Sequence, residues 1–200
     1  FRVGEDDVRV VRRVDYHRGE SGRVLKQLVS DIFDVTQLES GQMRLSPENF
    51  DVEQLFRGAI EPFREDAERK RQTLVPVCRE ISFPTLYGDP TRLQQICVNL
   101  LSNAIRYTPE GGSIELRAEP AAPGTFEILC VDQGPGIPAE ELEQVFSPFV
   151  RGTREATGTG FGLGLAIARR IIKLHGGSVR AENRTDRSGL IVRTTLPTAR

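Results

Sequence analysis

Residues 89–109 read DPTRLQQICVNLLSNAIRYTP, and this stretch decides the fold. Asp89 followed by Pro90 is an N-cap with a proline at the first helical position, where a missing N–H costs nothing and the fixed φ suits the helix. Behind it Leu93, Ile96, Cys97, Leu100, Leu101 and Ala104 recur at steps of three and four, so a long helix carries one apolar face that must be buried. Residues 109–112, with Pro109 and two glycines, end it. On the same helix Asn99 and Asn103 stand four apart, which puts both amides on one face. An amide carbonyl is a neutral, hard oxygen ligand, and Mg²⁺ takes one or two protein oxygens alongside phosphate and water. Asn103 could equally cap or hydrogen-bond a neighbouring loop.

Downstream, residues 113–119 and 125–131 alternate as two strands joined by a Pro/Gly turn. A final helix over 162–174 then leads through His175, Gly176 and Gly177 into two closing strands. Upstream, the pattern predicts short strands at 74–77 and 85–87, and a helix capped by Asp51 that runs to about Arg71 with a bend at Pro62. An extended piece is expected at 43–45. Further back, Val11, Val14, Leu25, Leu28, Ile32 and Val35 fall on one three-and-four register. Arg18 and Ser21 interrupt it, and Gly19 and Gly22 weaken it, so a regular helix is predicted over 21–40 with Gly41 as its stop. Such a seam serves either its own domain's core or a dimer interface.

Hydrophobic residues make up 38% and charged residues 28% of the 200, as in a folded chain with one sizeable domain and an appendage. No apolar run approaches the roughly 18 residues of a membrane span. The 27 Lys and Arg nearly cancel the 28 Asp and Glu, which leaves no electrostatic case for nucleic acid or an anionic membrane as the main partner. Three cysteines, Cys78, Cys97 and Cys130, lack the spacing of a zinc or disulfide framework. They suit a reducing, cytoplasmic setting, with Cys97 and Cys130 in the core. The chain begins at Phe1 with nothing like a signal peptide, so an upstream portion is expected.

Two glycine-bearing blocks add chemistry to the asparagine helix. In DQGPGIP (132–138), Asp132 ends an apolar strand just before Gly134 and Gly136, where the backbone can turn sharply and approach a flat ligand. Its carboxylate can accept from an exocyclic amino group, which adenine carries and guanine places differently. A strand-end Asx turn would use the same residues. In GTGFGLGL (158–165), glycines expose N–H groups just before a helix N-terminus, where phosphate is favoured by unpaired donors and the helix dipole. Arg106, one turn beyond Asn103, adds a cation that could face phosphate.

In order and spacing, NLLSNAIRYTP (99–109), DQGPGIP, FSPF (146–149) and GTGFGLGL resemble the N, G1, F and G2 boxes of sensor histidine kinases. Those kinases share a wider family with the gyrase, Hsp90 and MutL ATPases. GRVLKQLVSDIFDVTQLESGQMRL resembles the second helix of their dimerisation and phosphotransfer hairpin, and HGGSVRAENR with GLIVRTTLP resembles their closing hairpin. The resemblance implies an α+β fold, the two-layer Bergerat sandwich of a mixed sheet backed by three helices, at residues 43–200. A long helix of the dimerisation hairpin would precede it within 1–42. It further implies ATP and Mg²⁺ as cofactors, a homodimer through the helical region, a response-regulator receiver domain as partner, and no membrane contact by this part of the chain.

Carried over, the family's roles put Asn103 on Mg²⁺ with Asn99 beside it, Tyr107 near adenine, and Asp132 on the adenine amino group. Gly134, Gly136 and Ile137 would form the pocket wall. Gly160, Gly162 and Gly164 would cradle phosphate, with Gly158, Thr159, Phe161 and Leu163 of the same block also on the nucleotide, and the lid would span about 146–160. Arg151 matches a lid arginine that approaches the γ-phosphate, and Phe146 and Phe149 would anchor the lid by packing. Arg106 replaces a more usual Lys, which turns a compact donor into a planar fork. In the ATPase branches an acidic residue four positions before the metal-binding Asn activates water. Here Asn99 stands there, and an amide is no general base at neutral pH.

The γ-phosphoryl is then left for a histidine, yet neither His17, followed by Arg18, Gly19 and Glu20, nor His175 sits in the family's acceptor motif. The acceptor helix is expected before residue 1, and His175 is expected to be structural. Transfer to a hairpin histidine, with Asn99, Arg106 and Arg151 at the reacting end, is the leading reading. A pseudokinase scaffold that binds nucleotide without transfer is the alternative.

Overall fold

The computed structural model describes residues 34, 36, 42–78, 86–150 and 161–198. Two compact units are distinguished, Phe1–Met43 with Thr157–Phe161, and Arg44–Ala156 with Gly162–Arg200. In the first, Asp34 and Thr36 are helical; the rest of the helix expected over 21–40 lies outside the described residues.

The second unit is built on a five-stranded mixed sheet in the order β2-β4-β5-β7-β6. Its strands are β2 (Thr73–Cys78), β4 (Ser113–Pro120), β5 (Thr125–Val131), β6 (Ser178–Asn183) and β7 (Leu190–Pro197). Only β2 and β4 run parallel; the other pairings are antiparallel. Pro76 falls in β2, an edge strand, where a missing ladder donor is tolerated. Strand alternation puts Ile114, Leu116, Ala118, Phe126, Ile128, Cys130, Val192 and Leu196 on one buried face. On that face lie α1 (Val52–Ile60) against β2, α3 (Pro90–Tyr107) against β4 and β5, and α4 (Gly164–Leu174) against β6. The opposite face mixes apolar residues, Leu129 and Val131 among them, with charged ones. Arg193 is ringed by Glu127, Glu182 and Glu119, so one guanidinium offsets carboxylates that would otherwise face each other across strands.

Helix α3 is the centre of the helical layer. Leu93, Ile96, Leu100 and Leu101 are each at most 2% exposed, and burying such side chains contributes about 1.5–3 kcal/mol apiece. Asp89 caps it by accepting from Arg92 N at 3.0 Å while its other oxygen takes Ser46 N at 2.9 Å. Its own N–H donates to His175 Nε2 at 3.0 Å, and His175 Nδ1 faces Ile171 O at 2.9 Å, so the imidazole carries its proton on Nδ1. The histidine thereby ties the end of α4 to the start of α3, the structural role expected of it. Gly176 N to Lys173 O and Gly177 N to Ile172 O close α4 in a Schellman motif. Cys97 and Cys130 are buried as expected, and burial pushes the Cys97 thiol up to about 12, which leaves it inert.

Several boundaries differ from the expectations. Pro62 does more than bend a helix: a 3₁₀ turn at Glu61–Phe63 separates α1 from α2 (Arg64–Arg69). Beyond the extended piece expected at 43–45 lies an unexpected strand, β1 (Glu48–Phe50), paired antiparallel with β3 (Leu86–Gly88). This ribbon exists only through a partner far along the chain, with Asn49 opposite Tyr87, a pairing local pattern does not contain. Helix α4 starts two residues later than expected because Gly162 has a φ of +70°.

Candidate functional site

The asparagine helix ends beside the loop that follows β5, and the expected residues that the structure describes divide between these two elements and the start of α4 with the residues just before it. Asp132 is 7% exposed. Its Oδ1 accepts from Gly134 N at 2.7 Å and Leu190 N at 3.1 Å, so Oδ2 is the oxygen left for a ligand. The bond to Gly134 is an Asx turn, so one oxygen shapes the loop, while Oδ2 accepts no hydrogen bond among the described residues. Burial pushes the carboxyl above its usual range, opposed by the N–H groups of Gly134 and Leu190 and by the Arg184 charge.

Gly134 lies against Tyr107, whose Cβ and carbonyl oxygen would both stand 3.3 Å from a Cβ at that position, so the end of α3 and the loop are in close contact. Gly136 has a φ of +72°, and a Cβ there would come within 2.6 Å of Asn183 Oδ1. Ile137 follows with both backbone groups bonded to Asn183. Tyr107 is 38% exposed.

Asn99 is 7% exposed and donates Nδ2 to Gly164 O at 3.0 Å, which fixes the first residue of α4 to the middle of α3. Asn103, one turn on, is half-buried and its amide makes no hydrogen bond among the described residues. Helix α4 has no side-chain cap; Leu163 precedes it, 2% exposed, and its first-turn N–H groups are left for a ligand or solvent. Gly162 bonds Phe149 N through its carbonyl at 2.9 Å, and a Cβ on it would stand 2.7 Å from Val150 O. Among the described residues no group of three or more His, Cys, Asp or Glu could hold a metal; the Asn103 carbonyl is a neutral oxygen of the kind Mg²⁺ accepts beside phosphate and water.

Phe146 is buried and has the Arg169 guanidinium 5.9 Å above its ring, as an anchor should. Phe149 does not anchor by packing: it is 72% exposed with a φ of +62°, because its N–H is spent on Gly162 and the turned backbone swings the ring outward. Arg151, Gly158, Thr159 and Gly160 lie outside the described residues. Phe161 is 41% exposed.

Sequence reasoning missed the residues that frame these groups. Lys70 Nζ donates to Ile105 O at 2.7 Å and Arg106 O at 3.2 Å, and Gln72 Nε2 to Ile105 O at 3.1 Å and Thr108 O at 2.6 Å, closing the end of α3 that carries Arg106 and Tyr107. Burial, then the Arg106 charge, pulls the Lys70 ammonium below its usual value. The β6–β7 turn supplies Asn183, Arg184, Ser188 and Gly189 around Asp132. Lys70 could have been suspected only from its place near a helix end. Asn183 gives no local signal, since its partner is 46 residues away.

The sequence profile of the family described as "Histidine kinase-, DNA gyrase B-, and HSP90-like ATPase" matches residues 88–200, more than half of the chain. The adaptive-response sensory kinase SasA of Thermosynechococcus vestitus is 33% identical over 190 residues, covering 94% of this chain and 49% of the relative. The chain thus spans about half the length of the curated relative it matches. Full-length ShkA, solved in complex with AMPPNP, superposes with a TM-score of 0.79 at 28% identity, over 100% of this chain and 40% of that one. The nucleotide-free catalytic domain of histidine kinase ThkA gives 0.64 at 30% identity, over 78% of this chain and 99% of the other.

Proposed function

Because this chain belongs to the histidine kinase-, gyrase B- and HSP90-like ATPase family, with a sensor histidine kinase's catalytic fold, we propose that it binds Mg·ATP and transfers the γ-phosphoryl to a histidine. One observation carries the reading: Asp132 is held by two backbone donors on one oxygen, while its other oxygen, beside the glycine loop, accepts no hydrogen bond among the described residues and is left for a donor such as the adenine amino group. Tyr107, Gly134, Gly136 and Ile137 line the base; Gly162, Leu163 and Gly164 meet phosphate at the start of α4. Arg106 and Arg151 supply positive charge at the reacting end, and Gly158, Thr159, Gly160 and Phe161 close over the nucleotide. Asn103 holds Mg²⁺, whose charge, when bound, neutralises the phosphate oxygens.

Asn99 favours phosphotransfer over hydrolysis. Its amide is committed to the Gly164 carbonyl and has no proton-accepting capacity at neutral pH, so water near the γ-phosphate is not activated. The acceptor imidazole is supplied by a dimerisation hairpin, residues 1–42 contributing part of it and 43–200 the catalytic domain, and the phosphoryl passes on to a response-regulator aspartate. The helical region pairs two copies, and the work is cytoplasmic. No described helix is long and apolar enough to cross a membrane.

Incubated with γ-labelled ATP and a separately expressed acceptor hairpin, the chain is expected to deposit acid-labile phosphate on the hairpin, and Asn103→Asp to abolish it. Little labelling is expected without the hairpin. Strong labelling of the chain alone that disappears in His17→Gln contradicts the acceptor assignment; no labelling of any hairpin contradicts the transfer itself.

A further inference from the structure

Asn183 closes β6 and reaches back to the loop after β5 with both halves of its amide. Oδ1 accepts from Ile137 N at 2.8 Å, and Nδ2 donates to Ile137 O at 2.6 Å. One backbone residue offers one donor and one acceptor, so this pairing fixes which way the amide points, and the side chain does for Ile137 what a neighbouring strand would do. Gly136 fits against it because a Cβ there would meet Asn183 Oδ1 at 2.6 Å. The same turn holds the other end of the loop. Ser188 Oγ donates to Gly134 O at 2.6 Å, Arg184 Nη1 to Asp132 O at 3.3 Å, and Leu190 N to Asp132 Oδ1 at 3.1 Å.

The loop that shapes the Asp132 carboxylate is therefore gripped at both ends by the β6–β7 turn. We propose that Asn183, seconded by Ser188, is a positioning residue for base selection. By clamping residues 134–137 it sets the direction of Asp132 Oδ2, and so the preference for a purine bearing an amino group over one bearing a carbonyl oxygen. This rests on the reading of Asp132 as the base acceptor. A purine with a 6-oxo group would turn an acceptor toward that oxygen, and the repulsion discriminates only if the carboxylate cannot swing away. Asn183 touches the loop backbone rather than the base, so it acts on selectivity through Asp132 and leaves the phosphate contacts untouched.

The test measures affinities for ATP, inosine triphosphate and inorganic tripolyphosphate, each with Mg²⁺, for the unaltered chain, Asn183→Ala and Ser188→Ala. The two side chains are exposed or part-exposed, so both variants are expected to fold, which circular dichroism checks. Exposed hydrogen bonds are individually weak. Asn183→Ala is accordingly expected to lower ATP affinity roughly threefold to tenfold while inosine triphosphate and tripolyphosphate hold, with Ser188→Ala shifting the same ratio by less. An unchanged ATP-to-inosine-triphosphate ratio in both variants overturns the proposal and leaves the base acceptor standing. A parallel loss for all three ligands overturns it too, since it reports a loosened domain. If the unaltered chain itself shows no preference for ATP over inosine triphosphate, the Asp132 reading fails and the proposal with it.

Discussion

The base end and the phosphate end of the proposed site are built on opposite plans. Around Asp132 the groups are already paired with one another: Gly134 and Leu190 on Oδ1, Ser188 on Gly134, Asn183 on Ile137. Around the start of α4 fewer are committed: Asn99 holds the Gly164 carbonyl, but Asn103, one turn along α3, is unbonded among the described residues and α4 has no side-chain cap. The contrast follows from what each end must recognise. A base is told from another base by one hydrogen bond, so the acceptor must be fixed beforehand. A triphosphate with its cation is a large charge that rewards any donor left uncommitted. Leaving a buried polar group unpaired costs about 1–3 kcal/mol, a cost that half-exposed Asn103 largely escapes through water.

The contrast breaks most visibly under Asp132→Ala. Loss of a charged hydrogen-bond partner typically costs about 1.5–3 kcal/mol, so ATP affinity is expected to fall roughly tenfold to a hundredfold with tripolyphosphate affinity unchanged. Asn103→Ala should do the reverse, removing most of the gain that Mg²⁺ gives ATP, roughly tenfold, while the preference for ATP over inosine triphosphate stays. If each substitution damages both properties equally, the two ends are not separate devices.

A smaller effect concerns pH. Burial raises the Asp132 carboxyl above an ordinary aspartate, so its contribution to stability is present at low pH and lost as pH rises through the folded value. The ligand-free protein thus carries a destabilising buried charge at neutral pH, whereas adenine favours the ionised form. ATP affinity should fall severalfold on acidification, beginning above the usual carboxylate range. Thermal melting of ligand-free Asp132→Asn should exceed that of the unaltered chain at neutral pH, with the gap closing as pH drops. A gap that widens in acid would contradict the sign.

What the sequence made legible follows the range of each signal. Asp89 and Pro90, the apolar steps from Leu93 to Ala104, and the alternation of 113–119 and 125–131 are local, and each appears as an element within a residue or two. The oddity of Asp132 and Asn103 was readable because their residue types are unusual where they stand. The gaps lie in long-range pairing. Strand β1 needs β3, Asn183 needs Ile137, and Lys70 needs carbonyls 35 and 36 positions on, none of which leaves a mark on neighbouring residues. Phe149 failed for another reason: an aromatic in an FSPF run reads as packing, and only the φ of +62° reveals that its backbone is turned to serve Gly162.

The most direct test of the central claim is a calorimetric titration of the chain with ATP, once with Mg²⁺ and once with a chelator. Saturable one-to-one binding that weakens by roughly tenfold or more without Mg²⁺ is the expected result. A folded chain that shows no heat of binding in either condition, or the same affinity in both, would contradict it.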